Sequence, residues 1–336
     1  MDSLTQIVLG ASVAAVVVRA AHRRRALAVG AALATLPDLD VLPLALIDDP
    51  VAVMTWHRSF SHSLLVLIPF GWLLWRLLRT RWTPVRRAPR AWLWAIQLAL
   101  VTHPLLDAFT VYGTQLLWPL MPPPTMWSSV FIIDPAYTLW LLLGVVAAAF
   151  LGARRAAQRF VVAGLVLSTA YLGWSLIAKW QIERVADASL AALGLQDAPR
   201  FSVPSPLNTL LWRVVAMTPD GFVEGEYSLV ADNGRPMRFR RYLSDTAALA
   251  AASKVPTVER LRWFNHGFMK ATVDDDRLVL SDLRMGEEPD YSFTFVVAER
   301  RDGAWQAIPP EQRVWTVRAG DRLPLLWQRI WNPAVD

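Results

Sequence analysis

Two histidines stand five positions apart in Trp56-His57-Arg58-Ser59-Phe60-Ser61-His62-Ser63, at the mouth of an apolar run from Leu64 to Leu78. Two further polar knots end apolar stretches: Leu36-Pro37-Asp38-Leu39-Asp40 and His103-Pro104-Leu105-Leu106-Asp107. Ionisable groups at membrane depth are costly unless paired or bound to a metal, so they mark a functional site by default. His103 and Asp107 have i,i+4 spacing and share one helix face, so one helix can give two ligands to one ion. The plainer reading is a His–Asp hydrogen bond inside a bundle. His57 and His62 lack helical spacing, and Ser-Phe-Ser between them suggests a turn, with Ser61 or His62 opening the next helix. A metal, or an anion drawn by the helix dipole, suits that place; interfacial histidines beside a capping serine fit it equally. Asp38 and Asp40 follow a proline at a helix break, where alternate spacing lets two carboxylates converge or lets each cap a turn.

Together Asp38, Asp40, His57, His62, His103 and Asp107 form a nitrogen and oxygen donor set suited to zinc, with manganese or iron as alternatives. The chemistry of such a site is a bound water made acidic enough to yield hydroxide, with a second ion to clamp a phosphoryl oxygen. Asp40 or Asp107 is the expected proton acceptor. Arg58 is the expected clamp for a phosphate or carboxylate, or else a headgroup contact.

The elements that position these knots are read from composition. Of 336 residues, 54% are hydrophobic, too many for an ordinary soluble domain. There is no cysteine, which excludes disulfides and thiolate metal sites. Residues 1–179 carry 15 Lys+Arg against 7 Asp+Glu, whereas residues 180–336 carry 19 against 21. The basic excess therefore belongs to the apolar half and reads as membrane topology, not nucleic-acid binding. The run from Thr5 to Ala20 is no signal peptide, because its charges follow the apolar core.

Apolar segments recur at about 5–20, 26–47, 62–78, 91–108, 135–152 and 160–178. They predict a polytopic α-helical membrane bundle of about five to six helices over residues 1–180. Loops 21–25, 76–90 and 153–159 hold 12 Arg and no acid, which places them in the cytoplasm and puts all three knots on one outer face. Asp134-Pro135 reads as a helix start, and Asp48 and Asp49 as solvated acids. Beyond residue 180 the pattern changes to strand-like alternation at 210–215, 222–227, 277–282 and 291–297, with helices at 247–254 and 257–264. Residues 181–336 are therefore a smaller α+β domain, expected outside the cytoplasm. Asp282 and Arg284 are a candidate ion pair within it.

Met1-Asp2-Ser3-Leu4-Thr5-Gln6, the three knots, and the continuation Ala108-Phe109-Thr110-Val111-Tyr112-Gly113-Thr114 resemble the YdjM-type family of bacterial inner-membrane, metal-dependent hydrolases. Ser281-Asp282-Leu283-Arg284-Met285-Gly286 is similar to the longer members that carry an added C-terminal domain. The resemblance implies distant kinship with zinc-dependent phospholipase C and single-strand nucleases, and implies that the six His and Asp residues are metal ligands. Gln6 departs from the family pattern, in which many shorter relatives have histidine. The expectation is a membrane-bound hydrolase of a lipid or lipid-linked phosphoester at the outer face of the inner membrane, with membrane lipids and no nucleic acid as partners. The alternative is a non-enzymatic membrane protein that binds an ion or recruits a partner through its outer domain, with no open coordination position on the ion.

Overall fold

A computed structural model describes residues 1–313 and 319–335. The helices run α1 Ser3–Val17, α2 Arg23–Thr35, α3 Val41–Leu44, α4 Pro50–Trp56, α5 Leu64–Arg81, α6 Thr83–Arg87, α7 Pro89–Asp107, α8 Pro135–Leu151 and α9 Arg155–Ala192. Strands β1 Arg200–Pro204, β2 Leu211–Thr218, β3 Gly221–Ser228 and β4 Arg238–Leu243 follow, then α10 Thr246–Ala251 and α11 Pro256–Phe264. The chain continues through β5 Met269–Asp274, β6 Arg277–Asp282, β7 Gly286–Glu287, β8 Asp290–Tyr291, β9 Thr294–Arg301 and β10 Ala304–Gln312 to α12 Ala319–Trp331. Contacts divide it into two units: 1–42, 58–127 and 132–175 in the first, and 43–57, 128–131 and 176–336 in the second.

The expected bundle of five to six spanning helices is not what the chain forms. Among the described residues two helical stretches are long and apolar enough to cross a membrane: Ala20–Leu44, of 25 residues, and α9, of 38. A third is reached only if the broken pair Pro50–His62 and Leu64–Arg81 counts as one. Length explains the shortfall. At about 1.5 Å per residue, the 15 residues of α1 and 17 of α8 fall short of a hydrocarbon core of about 30 Å. The 19-residue α7 comes close to that length, but Gln97, Thr102, His103 and Asp107 dilute its apolar character. The alternation through six spans that put the three knots on one face therefore falls away. Contact within the first unit, described below, is what joins two of their histidines and two of their aspartates.

Small residues set the packing of that first unit. α1 crosses α2 at Gly10 and Gly30, where a Cβ on Gly30 would lie 2.2 Å from the Gly10 carbonyl oxygen. Ala11, Ala15, Leu27, Ala148, Ala157 and Val161 fill one core cluster. Ala14, Val18, Ala26, Trp92 and Ala95 fill another. Close backbone approach through Gly and Ala is the usual basis of helix association in lipid. The basic loops also have a structural task. Buried Arg23 donates to the carbonyls of Gly152 (2.6 Å) and Arg154 (3.1 Å), and Arg24 to that of Ala149 (2.8 Å), which satisfies the exposed carbonyl end of α8. At the other end of α8, Asp134 accepts from Ala136 and Tyr137 N–H groups as the expected N-cap, with Pro135 at the first position.

In the second unit β1 to β4 form an antiparallel sheet in sequence order, and a second sheet runs β10-β9-β6-β5. Alternation along β2 divides the first sheet's faces. Trp212, Val214 and the cross-strand Tyr227 pack on Ala178, Ile182 and Ala186 of α9, so this helix runs on past the expected boundary at 180 into the domain core. The opposite face carries Arg213, Glu224 and Glu226, with Arg240 and Arg238 as their β4 partners. The expected Asp282–Arg284 pair forms and is buried, at 2.7 Å. Segment 43–57 belongs here too. Asp49, read as a solvated acid, accepts from Val51 and Ala52 N–H groups and caps α4, and Arg260 of α11 donates to Thr55 Oγ1 at 3.0 Å.

The polar sheet face borders a cavity of about 790 Å³, lined among others by Glu224, Glu226, Glu287, Arg238 and Arg329. Burial, then the neighbouring Glu287 charge, pushes the Glu226 carboxyl up to about 7. A carboxyl whose folded-state pKa is raised binds its proton more tightly folded than unfolded, so stability falls as pH rises from the ordinary carboxylate range through 7. Glu226→Gln is therefore expected to raise the domain's unfolding temperature at pH 8 and leave it nearly unchanged at pH 4.5. Circular dichroism melts at the two pH values check this; equal shifts at both would refute it.

Candidate metal centre

One helix end and two turns build the site. Pro104 inside α7 leaves the local backbone ladder incomplete near its end, and there His103 and Asp107 face inward, both fully buried. The 3-10 turn Pro37–Asp40 after α2 carries Asp38. The turn Phe60–His62 carries His62, and Ser63, not Ser61 or His62, caps α5 by accepting from Leu65 N–H. Arg58 enters this turn with a left-handed φ of 61°. Its N–H donates to Asp40 Oδ2 and its carbonyl accepts from Gln115, which hold the bend.

Asp38, His62, His103 and Asp107 converge, with one donor atom from each lying within 4.8 Å of the others. The finer distances are more telling. His62 Nε2 lies 3.1 Å from His103 Nε2, 3.4 Å from Asp38 Oδ1 and 3.2 Å from Asp107 Oδ2. His103 Nε2 lies 3.3 Å from Asp38 Oδ1 and 3.5 Å from Asp107 Oδ2. A tetrahedral ion with bonds of about 2.0–2.1 Å needs donors about 3.3–3.4 Å apart, so these five edges match a zinc-sized tetrahedron.

The protonation pattern points the same way. His103 Nδ1 lies 2.6 Å from the Ala34 carbonyl, which can only accept, so Nδ1 carries the hydrogen. Ser61 Oγ donates to Asp40 Oδ2 at 2.7 Å and so accepts from His62 Nδ1 at 2.9 Å. The two Nε2 atoms face each other across 3.1 Å, beside two carboxylate oxygens. Two imidazole nitrogens and two carboxylate oxygens aimed at one point fit a divalent ion, which would bind the rings as neutral imidazoles.

The surrounding residues orient this set. Gln6 Nε2 donates to Asp107 Oδ1 at 3.0 Å and to the His103 carbonyl at 3.2 Å, and the Met1 ammonium also meets Oδ1. Arg58 Nε lies 3.2 Å from Asp107 Oδ2, its Nη1 donates to Thr110 Oγ1, and its guanidinium lies over the Tyr112 ring. Of the six ligands expected from sequence, four form the cluster. Asp40 stands one layer back, behind Ser61 and His62. His57 closes α4 in the second unit and is not one of the four. The supporting roles of Ser61 and the Ala34 carbonyl were missed. Ser61 was read as part of a turn or as the start of the next helix, and no side-chain pattern can reveal a backbone carbonyl.

A family model described as YdjM inner membrane protein matches residues 1–182. The chain belongs to this family. The matched stretch contains all four cluster residues and ends inside α9. No curated protein and no solved structure matches the chain, so the likeness to zinc-dependent phospholipases has no counterpart among them.

Proposed function

We propose that this inner-membrane YdjM protein is a zinc-dependent hydrolase of a lipid or lipid-linked phosphoester, acting at the extracytoplasmic membrane surface. The observation that carries it is the near-tetrahedral spacing of Asp38, His62, His103 and Asp107. Bound zinc supplies Lewis acidity there, which acidifies water and polarises a phosphoryl oxygen. The chain's own residues divide the remaining work. Ser61 and Asp40 hold the His62 ring, and the Ala34 carbonyl holds the His103 ring. Arg58, expected as a substrate clamp, is taken up by Asp107, Thr110 and Tyr112, so it acts as a positioning residue. Asp38, with its side chain 25% exposed, is the one member that substrate reaches and is the best-placed proton acceptor.

The sidedness follows from the two span-length helices. Ala20–Leu44 has Arg23, Arg24 and Arg25 near its start and Asp38 and Asp40 near its end. α9 begins at Arg155 and Arg159 and ends in the sheet domain. The positive-inside rule favours a cytoplasmic position for the basic ends, which supports an extracytoplasmic position for the aspartates and the sheet domain.

The four protein donors favour a second reading, because four-coordinate zinc sites are commonly structural and catalytic ones keep a position open. In that reading the ion joins the turns and the protein recruits a partner. The two separate in nanodiscs loaded with zinc and mixed phospholipids or a lipid-linked phosphoester, with products followed by mass spectrometry. Hydrolysis lost in Asp38→Asn supports the enzyme. One ion per chain with no turnover of any phosphoester supports the structural ion.

A further inference from the structure

We propose that α12 is a membrane-interface helix, which lays Leu323, Trp327 and Trp331 into the lipid surface and so seats the sheet domain on the bilayer. The inward side of α12 is already committed. Arg329 is buried and pairs with Asp232 at 2.6 Å, and buried Ile330 accepts at its carbonyl from Ser228 Oγ. The outward side is apolar. Leu323, Trp327 and Trp331 recur every four residues along one face, whereas Leu325 turns to the cavity under the polar sheet face. Trp327 is 62% exposed and Trp331 54%, with their rings in edge contact at 5.9 Å. Contiguous apolar surface of this kind marks an interaction site, and Trp beside Leu with Arg and Gln on the flanks is the composition of headgroup-level helices.

The chain itself brings lipid within reach. The apolar stretch of α9 runs from Phe160 to about Ala178, and Ala178 is already part of the sheet domain's core. The domain thus begins where the spanning segment ends, with exposed Trp174 and Trp180 flanking that point. A second membrane-proximal segment, 43–57, leaves the end of the Ala20–Leu44 stretch and packs into the same unit through α4 and α11. Two connections to span-length helices hold the domain at the surface, and the bilayer is the partner they supply.

The absence of native cysteine allows a clean test on the full chain. Single cysteines replace Leu323, Trp327 or, as a remote exposed reference on the β9–β10 turn, Asp302. Each carries a nitroxide label in nanodiscs of phosphatidylethanolamine and phosphatidylglycerol. The expected result is a several-fold higher ratio of oxygen to nickel-chelate collisions at 323 and 327 than at 302. The exposed pair Leu323→Glu with Trp327→Glu, read through a label at Trp331→Cys, is expected to bring that ratio down to the reference while the melting temperature stays unchanged. A ratio at 327 equal to that at 302 overturns the proposal. So does a label shielded from both reagents, which would mean that protein, a second copy included, covers the face.

Discussion

Full-length protein carrying His103→Ala, purified in detergent beside the wild type, is expected to lose its bound metal. The wild type should hold about one zinc per chain by plasma mass spectrometry after zinc loading and desalting. Structural zinc binding is worth about 10–16 kcal/mol, so one of four ligands carries roughly 3 kcal/mol or more, on the order of 100-fold or more in affinity. His62→Ala should behave alike, since the two rings sit 3.1 Å apart at Nε2. Asp40→Asn should weaken binding less, by about 10–100-fold, because it acts on His62 through Ser61. His57→Ala should keep the full complement. The pH dependence follows from the donors: two imidazoles and two carboxylates must shed protons to bind, so affinity falls as pH is lowered. Wild-type metal content unchanged in His103→Ala would dismantle the site.

That experiment turns on a distinction the sequence shows only in part. His103 and Asp107 were legible because i,i+4 spacing fixes a shared face whatever the tertiary context. Asp38 and His62 were visible as candidates, but Asp40 and His57 looked equivalent to them. What separates the members of each pair is local backbone. In the turn Pro37–Asp40, Asp38 reaches the cluster while Asp40 turns to the Arg58 N–H and Ser61. A left-handed Arg58 follows His57, and a non-glycine residue gives no signal for that conformation. The membrane half misled for a different reason. Apolar composition reports burial, and it cannot tell burial in lipid from burial in a neighbouring helix: Ala14, Ala15, Ala95 and Ala99 are fully buried by protein.

The sheet domain was readable where strands carry short apolar runs. β2, β3 and β6 fell close to their expected positions, because each holds Val, Leu, Phe or Tyr between turn residues, and each is buried on both faces. β4 was missed: its Arg-Phe-Arg-Arg-Tyr-Leu run is largely exposed and has no inward apolar period. β10 was missed because Pro309 and Pro310 lie within it, and the register there shifts between Ala307 and Glu311. Proline is tolerated on such an edge strand, which among the described residues pairs only with β9.

The second large effect is expected far from any ionisable group, at Gly30. The His103 ring is held by the carbonyl of Ala34, four residues along α2, and α2 keeps its place by contact with α1. At the crossing, a Cβ on Gly30 would lie 2.2 Å from the Gly10 carbonyl oxygen and 2.7 Å from the Ala14 Cβ; one on Gly10 would lie 2.4 Å from the Ala34 Cβ. Backbone cannot yield as a flexible side chain can, so the helices must separate. Gly30→Leu is expected to destabilise the helical unit by about 3 kcal/mol or more, at or beyond the upper end of overpacking effects. It should also cut metal affinity, because Ala34 moves with the helix. Gly173→Leu is the matched control: a Cβ there meets nothing within 4 Å. Thermal aggregation in detergent and zinc retention should separate the two variants clearly. If Gly30→Leu melts and binds zinc as the wild type does, the contact between α1 and α2 does not position the site. If it alone loses both, the geometry of four charged or polar ligands depends on two residues with no side chain.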